Sequence, residues 1–191
     1  MAYVDVATLK RYLGVSGAGD DQLLAELITM AQAIIDADIG RTFEASADTT
    51  RTFDAVRDVD GPALRLDADL CAITSVTNGN SVVVTSGQYT TQPRNVTPWY
   101  ELRLLGSSGL SWTYTTDPED SISIVGRWAY STTADALIAG ACRRLAAYLY
   151  RQKDNAGDLD RAVIAGNTTI LPAAIPSDML YMMRLRRKKT L

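Results

Sequence analysis

The fold is constrained most by two stretches of helical periodicity. A long region between them has the alternation of apolar and polar residues that is typical of strands. Residues 20–39 place Leu, Ile and Ala at the spacing of an amphipathic helix, and residues 133–153 repeat this pattern. Between them, from about residue 50 to 130, short β-branched and aromatic runs alternate with loops rich in Gly, Ser, Thr and Pro. The sequence therefore predicts an α+β protein in which an antiparallel β-sheet or small barrel is inserted between helices.

Capping residues support the predicted helix boundaries. Asp5 is a suitable N-cap, and Gly14 and Gly40 stand where the first two helices are expected to end in the left-handed conformation. Thr132 and Asp135 resemble a capping box at the start of the third helix. The predicted helices lie near residues 5–13, 20–39, 133–153 and 177–187.

The β region contains one strong turn signal. Asn78-Gly79 separates two β-prone runs within residues 73–84, and this dipeptide favours a type I′ hairpin turn with positive φ at both positions. The hairpin could reach a neighbouring molecule. We expect a core domain over residues 1–155, followed by a C-terminal loop and tail over residues 156–191.

The residue types present argue against most enzyme classes. The chain has no histidine, which removes Ser–His–Asp and Cys–His pairs, HExxH zinc sites and the commonest general base. It also lacks the GxxxxGK[ST] and GxGxxG phosphate-binding motifs, and its two cysteines, Cys71 and Cys142, are interpreted as buried thiols. We therefore predict a protein that is not an enzyme and has no cofactor or metal site.

A hydrolase with paired carboxylates is the remaining enzymatic alternative. Its candidate acids alternate with apolar residues, which is more typical of the surface of strands and turns. They are Asp54, Asp58, Asp60, Asp67 and Asp69.

Nothing in the sequence predicts a membrane location. No apolar run reaches the roughly 18 residues needed to cross a bilayer, and the N-terminus lacks the apolar core of a signal peptide. We expect the protein to be made and kept in the cytoplasm unless something larger carries it out.

The net charge is only −3, but acidic and basic residues are distributed unevenly along the chain. Residues 1–60 contain eleven acidic and five basic residues, a net of −6, whereas residues 140–191 contain four acidic and ten basic residues, a net of +6. Such a division favours contact between copies of the chain, or contact with two different partners.

The C-terminal stretch MLYMMRLRRKKTL, residues 179–191, combines long apolar side chains with clustered cations. It is too apolar for a simple DNA-binding arm and too short, with its charges too bunched, for a membrane-surface helix. We favour docking to a protein, with apolar residues in a groove and arginines on carboxylates; a solvated terminus is the main alternative. The residues predicted to make these contacts are Leu180, Tyr181, Met183, Arg184, Arg186 and Arg187.

The three tryptophans allow two interpretations. Trp99, Trp112 and Trp128 all fall in the β region, where packing in the core or at loop bases is the simpler role. The alternative is that one or more of them lies at a contact between neighbouring subunits, where aromatic residues are enriched.

The order of elements carries a family resemblance. The chain opens with YVDVATLKRYLGV and DDQLLAELITMAQAIIDADIGRTF, and its β region ends in SISIVGRWAYSTTADALIAGACRRLAAYLYRQKDN, a strand, a Gly-containing turn and an Ala-rich helix with a Tyr-Arg cluster. These stretches span roughly residues 3–155. They resemble the head–tail connector proteins (adaptor or head-completion proteins) of tailed bacteriophages and gene-transfer particles.

The resemblance implies a small helical bundle with a β-hairpin or small sheet, a structural role, and no catalytic residues. Such proteins form a homo-oligomeric ring, typically a dodecamer, under the portal vertex, where they extend the DNA channel and present a docking surface to tail or stopper proteins. It implies a location in the virion neck, host cytoplasm during assembly, portal binding by the C-terminal segment, and DNA that passes without sequence-specific binding. Stopper and tail-terminator proteins are chiefly β-barrels, and the two long helices disfavour them.

A nucleic-acid-binding regulator with a basic C-terminal tail is the alternative from a different class. Two N-terminal helices joined by a short turn are compatible with DNA reading. However, the second helix carries five acids and no base before Arg41, so phosphates would repel it.

Overall fold

The structure combines α-helices with antiparallel sheets, so the predicted α+β class is confirmed. The computed structural model describes residues 2–45, 47–152, 163–165, 168–170 and 177–187. The α-helices in these ranges are α1 (Val6–Leu13), α2 (Asp21–Ile39), α3 (Ala136–Gln152) and α4 (Ser177–Arg184), and Gly106–Ser108 form a short 3-10 helix. The strands are β1 (Thr49–Phe53), β2 (Val59–Asp60), β3 (Ala63–Leu70), β4 (Ala72–Thr77), β5 (Tyr89–Gln92), β6 (Trp99–Leu104), β7 (Ile122–Arg127), β8 (Val163–Ala165) and β9 (Thr168–Ile170).

The chain divides into two compact units. The first, the β unit, is the continuous stretch 41–133. The second, the helical unit, combines residues 2–40 with the described residues from 134 onward, and it contains α1, α2, α3 and α4. The expected boundary near residue 155 stays a prediction.

In the helical unit, α3 packs against α1, α2 and α4. Helix α2 turns one apolar stripe inward, and its fully buried residues are Leu24, Ile28, Ala31, Ile35 and Ile39. On α3 the buried positions include small residues, which let neighbouring helices approach closely; they are Ile138, Ala141, Cys142, Leu145, Ala146 and Ala147.

The predicted caps of the first helix and the glycine ends of the first two are confirmed. The carboxylate of Asp5 accepts the Thr8 N–H at 2.6 Å, and Gly14 and Gly40 both adopt left-handed conformations. The third helix begins later than the capping-box prediction requires. Its first turn is capped by Asp135, whose Oδ1 accepts the Leu137 N–H at 2.8 Å.

The β unit consists of two antiparallel sheets that share one core. One sheet has the order β1-β7-β4 and the other β2-β3-β6-β5, and the chain passes from one to the other at Cys71, between β3 and β4. Their inward side chains form a single cluster, whose buried members include Phe53, Leu64, Leu70, Val76, Leu102, Trp112, Ile122, Ile124 and Trp128.

The tryptophans pack in the core of this unit or against it, which is the simpler of their two predicted roles. The indole N–H groups of Trp112 and Trp128 donate to the carbonyls of Pro62 and Thr49, at 2.9 and 3.0 Å. Trp99 is partly buried and packs against the same core.

The observed strands and turn differ from the prediction in several places. The run SVVVT, residues 81–85, is not an assigned strand, but it pairs with the end of β4 through the Thr77–Val83 bridge and the hydrogen bond from Val84 N–H to the Val76 carbonyl at 2.9 Å. The polar run Tyr89–Gln92, by contrast, is a strand that alternation did not indicate. Neither Asn78 nor Gly79 has a positive φ; Ser81 has it instead, so the predicted type I′ turn is wrong. Strands β8 and β9 form an antiparallel pair in a segment expected to be a loop.

Candidate docking surface

Helix α4, the predicted docking segment, packs against α3 and α2 of its own unit. Met183 is its buried anchor, with only 1% of the residue exposed. Leu180 lies in the helix, but its side chain is outside the described part of the chain, as are residues 188–191. One of the predicted docking residues thus stabilises the attachment of α4 to the protein itself.

A second attachment is the ion pair between Arg186 and Asp135. Nη2 and Nε of the guanidinium donate to Asp135 Oδ2 at 2.8 and 3.2 Å, while the other carboxylate oxygen caps α3. Partial burial alone would raise the pKa of Asp135, but the hydrogen bonds from Arg186 and from the Leu137 N–H outweigh it and lower this pKa. One carboxylate therefore joins the end of α4 to the start of α3.

The arginine that follows also contacts its own unit. Nη2 of Arg187 lies 3.4 Å from the carbonyl oxygen of Asp38, in the last turn of α2. Cations are favourable there because the carbonyl end of a helix carries partial negative charge. Arg186 and Arg187 are thus turned towards α3 and α2, on the side of Met183.

The opposite face of α4 is open. Tyr181 is 65% exposed, Leu185 is 51% exposed and Arg184 is also exposed. Their spacing of three and four residues places them on one side of the helix. This outer face combines two large apolar side chains with a cation between them. Leu185 was not in the predicted set, although its spacing from Tyr181 would have indicated it.

The acids of the alternative hydrolase hypothesis form ion pairs or hydrogen bonds with other residues of the β unit. Asp60 and Asp67 form ion pairs with Arg65 and Arg51, at 2.9 and 2.8 Å. Asp69 pairs with Arg41 at 2.7 Å, and both side chains are less than a tenth exposed. This arrangement gives the carboxylates structural partners.

The two remaining acids hold a turn. Asp54 accepts the N–H groups of Val56 and Arg57, and Asp58 accepts the Asp54 N–H. These backbone hydrogen bonds lower the pKa of Asp54. A general acid would need a raised pKa.

Two further properties concern metals and membranes. Among the residues that the structure describes, no group of three or more His, Cys, Asp or Glu side chains is arranged to hold a metal ion. No helix in the described ranges has the length and apolar character that crossing a bilayer requires.

Comparisons with known proteins give structural likeness at low sequence identity. Neither protein-family models nor curated proteins match the chain. A chain from the neck of an empty GTA (gene-transfer agent) particle, computed with C6 symmetry, is similar with a TM-score of 0.59 and 16% identity, over 99% of this chain and 91% of that one. A chain from the neck of the native GTA particle, computed with C12 symmetry, gives a TM-score of 0.58 and 15% identity, over 97% and 89%. The resemblance predicted from the sequence is thus confirmed in the fold.

Proposed function

We propose that this protein is a structural component of the neck of a tailed-phage or gene-transfer particle, where it forms a homo-oligomeric ring between the portal and the tail. The observation that carries the proposal is likeness of fold to GTA neck chains over 99% of the present chain and 91% of the matched one. A likeness of this extent includes both the β unit and the helical unit. Those neck structures were computed with C6 and C12 symmetry, which supports a ring, and we propose a ring of twelve copies because this number is compatible with both symmetries.

In this proposal the protein acts by shape and docking and has no catalytic step. The ring extends the DNA channel below the portal, carries DNA without reading its sequence, and offers a surface to a tail or stopper protein. It assembles in the host cytoplasm and stays in the virion neck. Contacts that are weak in one subunit become lasting when repeated around a ring, because every later contact is effectively intramolecular.

The portal-docking surface is proposed on the C-terminal segment. Of the predicted residues, Tyr181 and Arg184 are exposed and available to a partner, together with Leu185. Met183 and Arg186 hold α4 in place and would act by positioning this face. A portal surface that fits would have an apolar groove lined by carboxylates.

The nucleic-acid-binding alternative gains no support from α2. Asp20 and Asp36 of this region accept hydrogen bonds from the hydroxyls of Tyr150 and Tyr3, at 2.5 and 2.6 Å. A helix that carries these acids would be repelled by phosphates. A mobility shift with naked duplex at physiological salt would favour the alternative.

Two experiments test the proposal. Images of purified particles should show this chain at the vertex where genome and tail meet, with a countable rotational symmetry; particles that lack it there would refute the neck role. Deletion of residues 177–191 should leave the rest folded but prevent joining to DNA-filled heads.

A substitution pair isolates the docking face from the folding of α4. Tyr181→Asp combined with Arg184→Glu changes only exposed side chains, so the protein should stay as stable as the wild type yet lose attachment to heads. Val96→Asp is the matched control because Val96 is 60% exposed in the β unit. Normal attachment of the double variant would contradict portal docking by this face.

A further inference from the structure

The outer face of α2 is an open apolar surface. It lies on the opposite side of the helix from the buried stripe, and it forms a shallow depression of about 470 Å³. Met30 is its largest apolar side chain and is 52% exposed, while Glu26 and Gln22 provide its polar edge. The lining residues are Gln22, Ala25, Glu26, Thr29, Met30 and Ala33. The small side chains leave room for a projecting group.

A complementary surface lies on α1 of the same unit. Tyr12 is 45% exposed, and the guanidinium carbon of Arg143 lies 4.9 Å from the centre of its ring. This cation–π contact restrains the ring without covering it. Arg11, the preceding residue, is exposed. The surface therefore presents a restrained aromatic ring between two cations.

We infer that the Tyr12 surface of one copy docks into the α2 depression of a neighbouring copy. Tyr12 would cover Met30 and the adjacent alanines, and Arg11 would pair with Glu26. The two surfaces are opposite in charge, because the depression carries the Glu26 carboxylate and the Tyr12 surface carries guanidinium groups. A second copy is the occupant that the chain itself favours, since both halves of the contact are present on it.

The contact is heterologous, so each copy uses a different surface towards each of its two neighbours. Such contacts produce closed rings when the rotation closes. The inference rests on the proposed ring and names the surfaces that would build it. Each contact is small compared with the interface of a stable dimer, so free subunits should associate only at high concentration.

The test follows the methyl resonance of Met30 in the full chain. With ¹³C-methyl methionine labelling, the Met30 signal is assigned from its loss in Met30→Leu. We expect it to shift as the protein concentration rises to about 1 mM. The shift should weaken with added salt because the Arg11–Glu26 pair is exposed. Absence of a concentration-dependent shift up to this concentration overturns the inference.

Mixtures of variants identify the two halves. Unlabelled Met30→Lys keeps an intact Tyr12 and should still shift the signal of labelled wild type, whereas unlabelled Tyr12→Ala should not. Val96→Ala, a matched exposed residue in the β unit, should behave as the wild type. If Tyr12→Ala shifts the signal as well as the wild type does, a different surface fills the depression and the inference is wrong.

A charge reversal adds a second criterion. When labelled Glu26→Arg is mixed with unlabelled wild type, its Met30 shift should be at least about tenfold smaller than that of the labelled wild type. Unlabelled Arg11→Glu should restore the shift. Failure of this rescue would contradict the Arg11–Glu26 contact. The two proposals can fail separately. Particles without the chain at the vertex would refute the neck role, whereas a Met30 signal that does not shift refutes only this contact between copies.

Discussion

At Asn78 and Gly79 the backbone passes close to the segment 111–113. The Asn78 side chain is buried, donates to the Ser111 carbonyl at 2.8 Å and accepts the Thr113 N–H at 3.1 Å. A Cβ on Gly79 would collide with the Thr113 carbonyl oxygen and the Ser121 side chain. The sequence predicted that this dipeptide forms a turn with positive φ. In the structure, glycine is required at position 79 because a second segment passes too close to leave room for a Cβ. That approach is long-range, so the dipeptide alone could not show it.

Gly79→Ala should therefore destabilise the β unit although the φ of Gly79 is ordinary. We expect a loss of about 1–3 kcal/mol in the free energy of unfolding because backbone and a packed side chain must move. Gly87→Ala is the control, since nothing lies within 4 Å of a Cβ there and its φ is not positive. Urea unfolding measures both, and equal stability of the two variants would contradict the proposed collision.

Cys142 gives a prediction in alkaline solution. Burial, with a smaller effect of the Asp36 charge, raises the pKa of this thiol to about 12. The unfolded thiol has a pKa of about 8.5, so above that pH the unfolded state loses its proton first and the free energy of unfolding falls. We expect stability to decrease between pH 8 and 9.5 more steeply in the wild type than in Cys142→Ala. Equal slopes would show that the thiol does not contribute.

At the scale of elements, local signals predicted the helices well and the sheets only partly. Helix ends depend on neighbours in sequence, such as Asp5 with Thr8, and these contacts could be anticipated. Sheet pairing depends on distant residues: Phe53 of β1 lies opposite Ile122 of β7. Strand β5 was missed because its residues are polar and none is fully buried, so its apolar alternation is weak.

For the docking surface, too, the local structure was predicted from the sequence and the long-range contacts were not. The sequence indicated that residues 177–187 form a helix with apolar and basic side chains, but not which of them face inward. Asp135 and Arg186 are separated by 51 residues, so their ion pair follows from the packing of α4 on α3. Inward and outward residues could be distinguished only once that packing was known.

Helix α4 should accordingly respond very differently to two substitutions in the same turn. Met183→Ala removes a buried side chain and should weaken the attachment of α4 by about 2 kcal/mol or more, whereas Tyr181→Ala should change it little. Amide hydrogen exchange over residues 177–187 reports this attachment directly. Faster exchange in Tyr181→Ala than in Met183→Ala would reverse the assignment of the two faces.

At the scale of the whole molecule, the chain is arranged so that one unit is continuous and the other is made from both ends. The β unit begins at Arg41 and ends at Thr133, and the helical unit is completed only by residues on either side. Each unit has its own buried cluster, around Ile124 in one and around Ile28 and Leu145 in the other. A continuous unit with its own core can in principle fold alone.

This arrangement predicts unfolding in two steps. The three tryptophans lie in the β unit, and the α-helices of the described residues lie in the helical unit, so tryptophan fluorescence and α-helical circular dichroism report on different units. We expect the two signals to give different urea midpoints, because independent cores need not lose stability together. A fragment of residues 41–133 should reproduce the fluorescence midpoint of the full chain. Coincident transitions in the full chain, together with an unfolded fragment, would show that the two units form one cooperative whole.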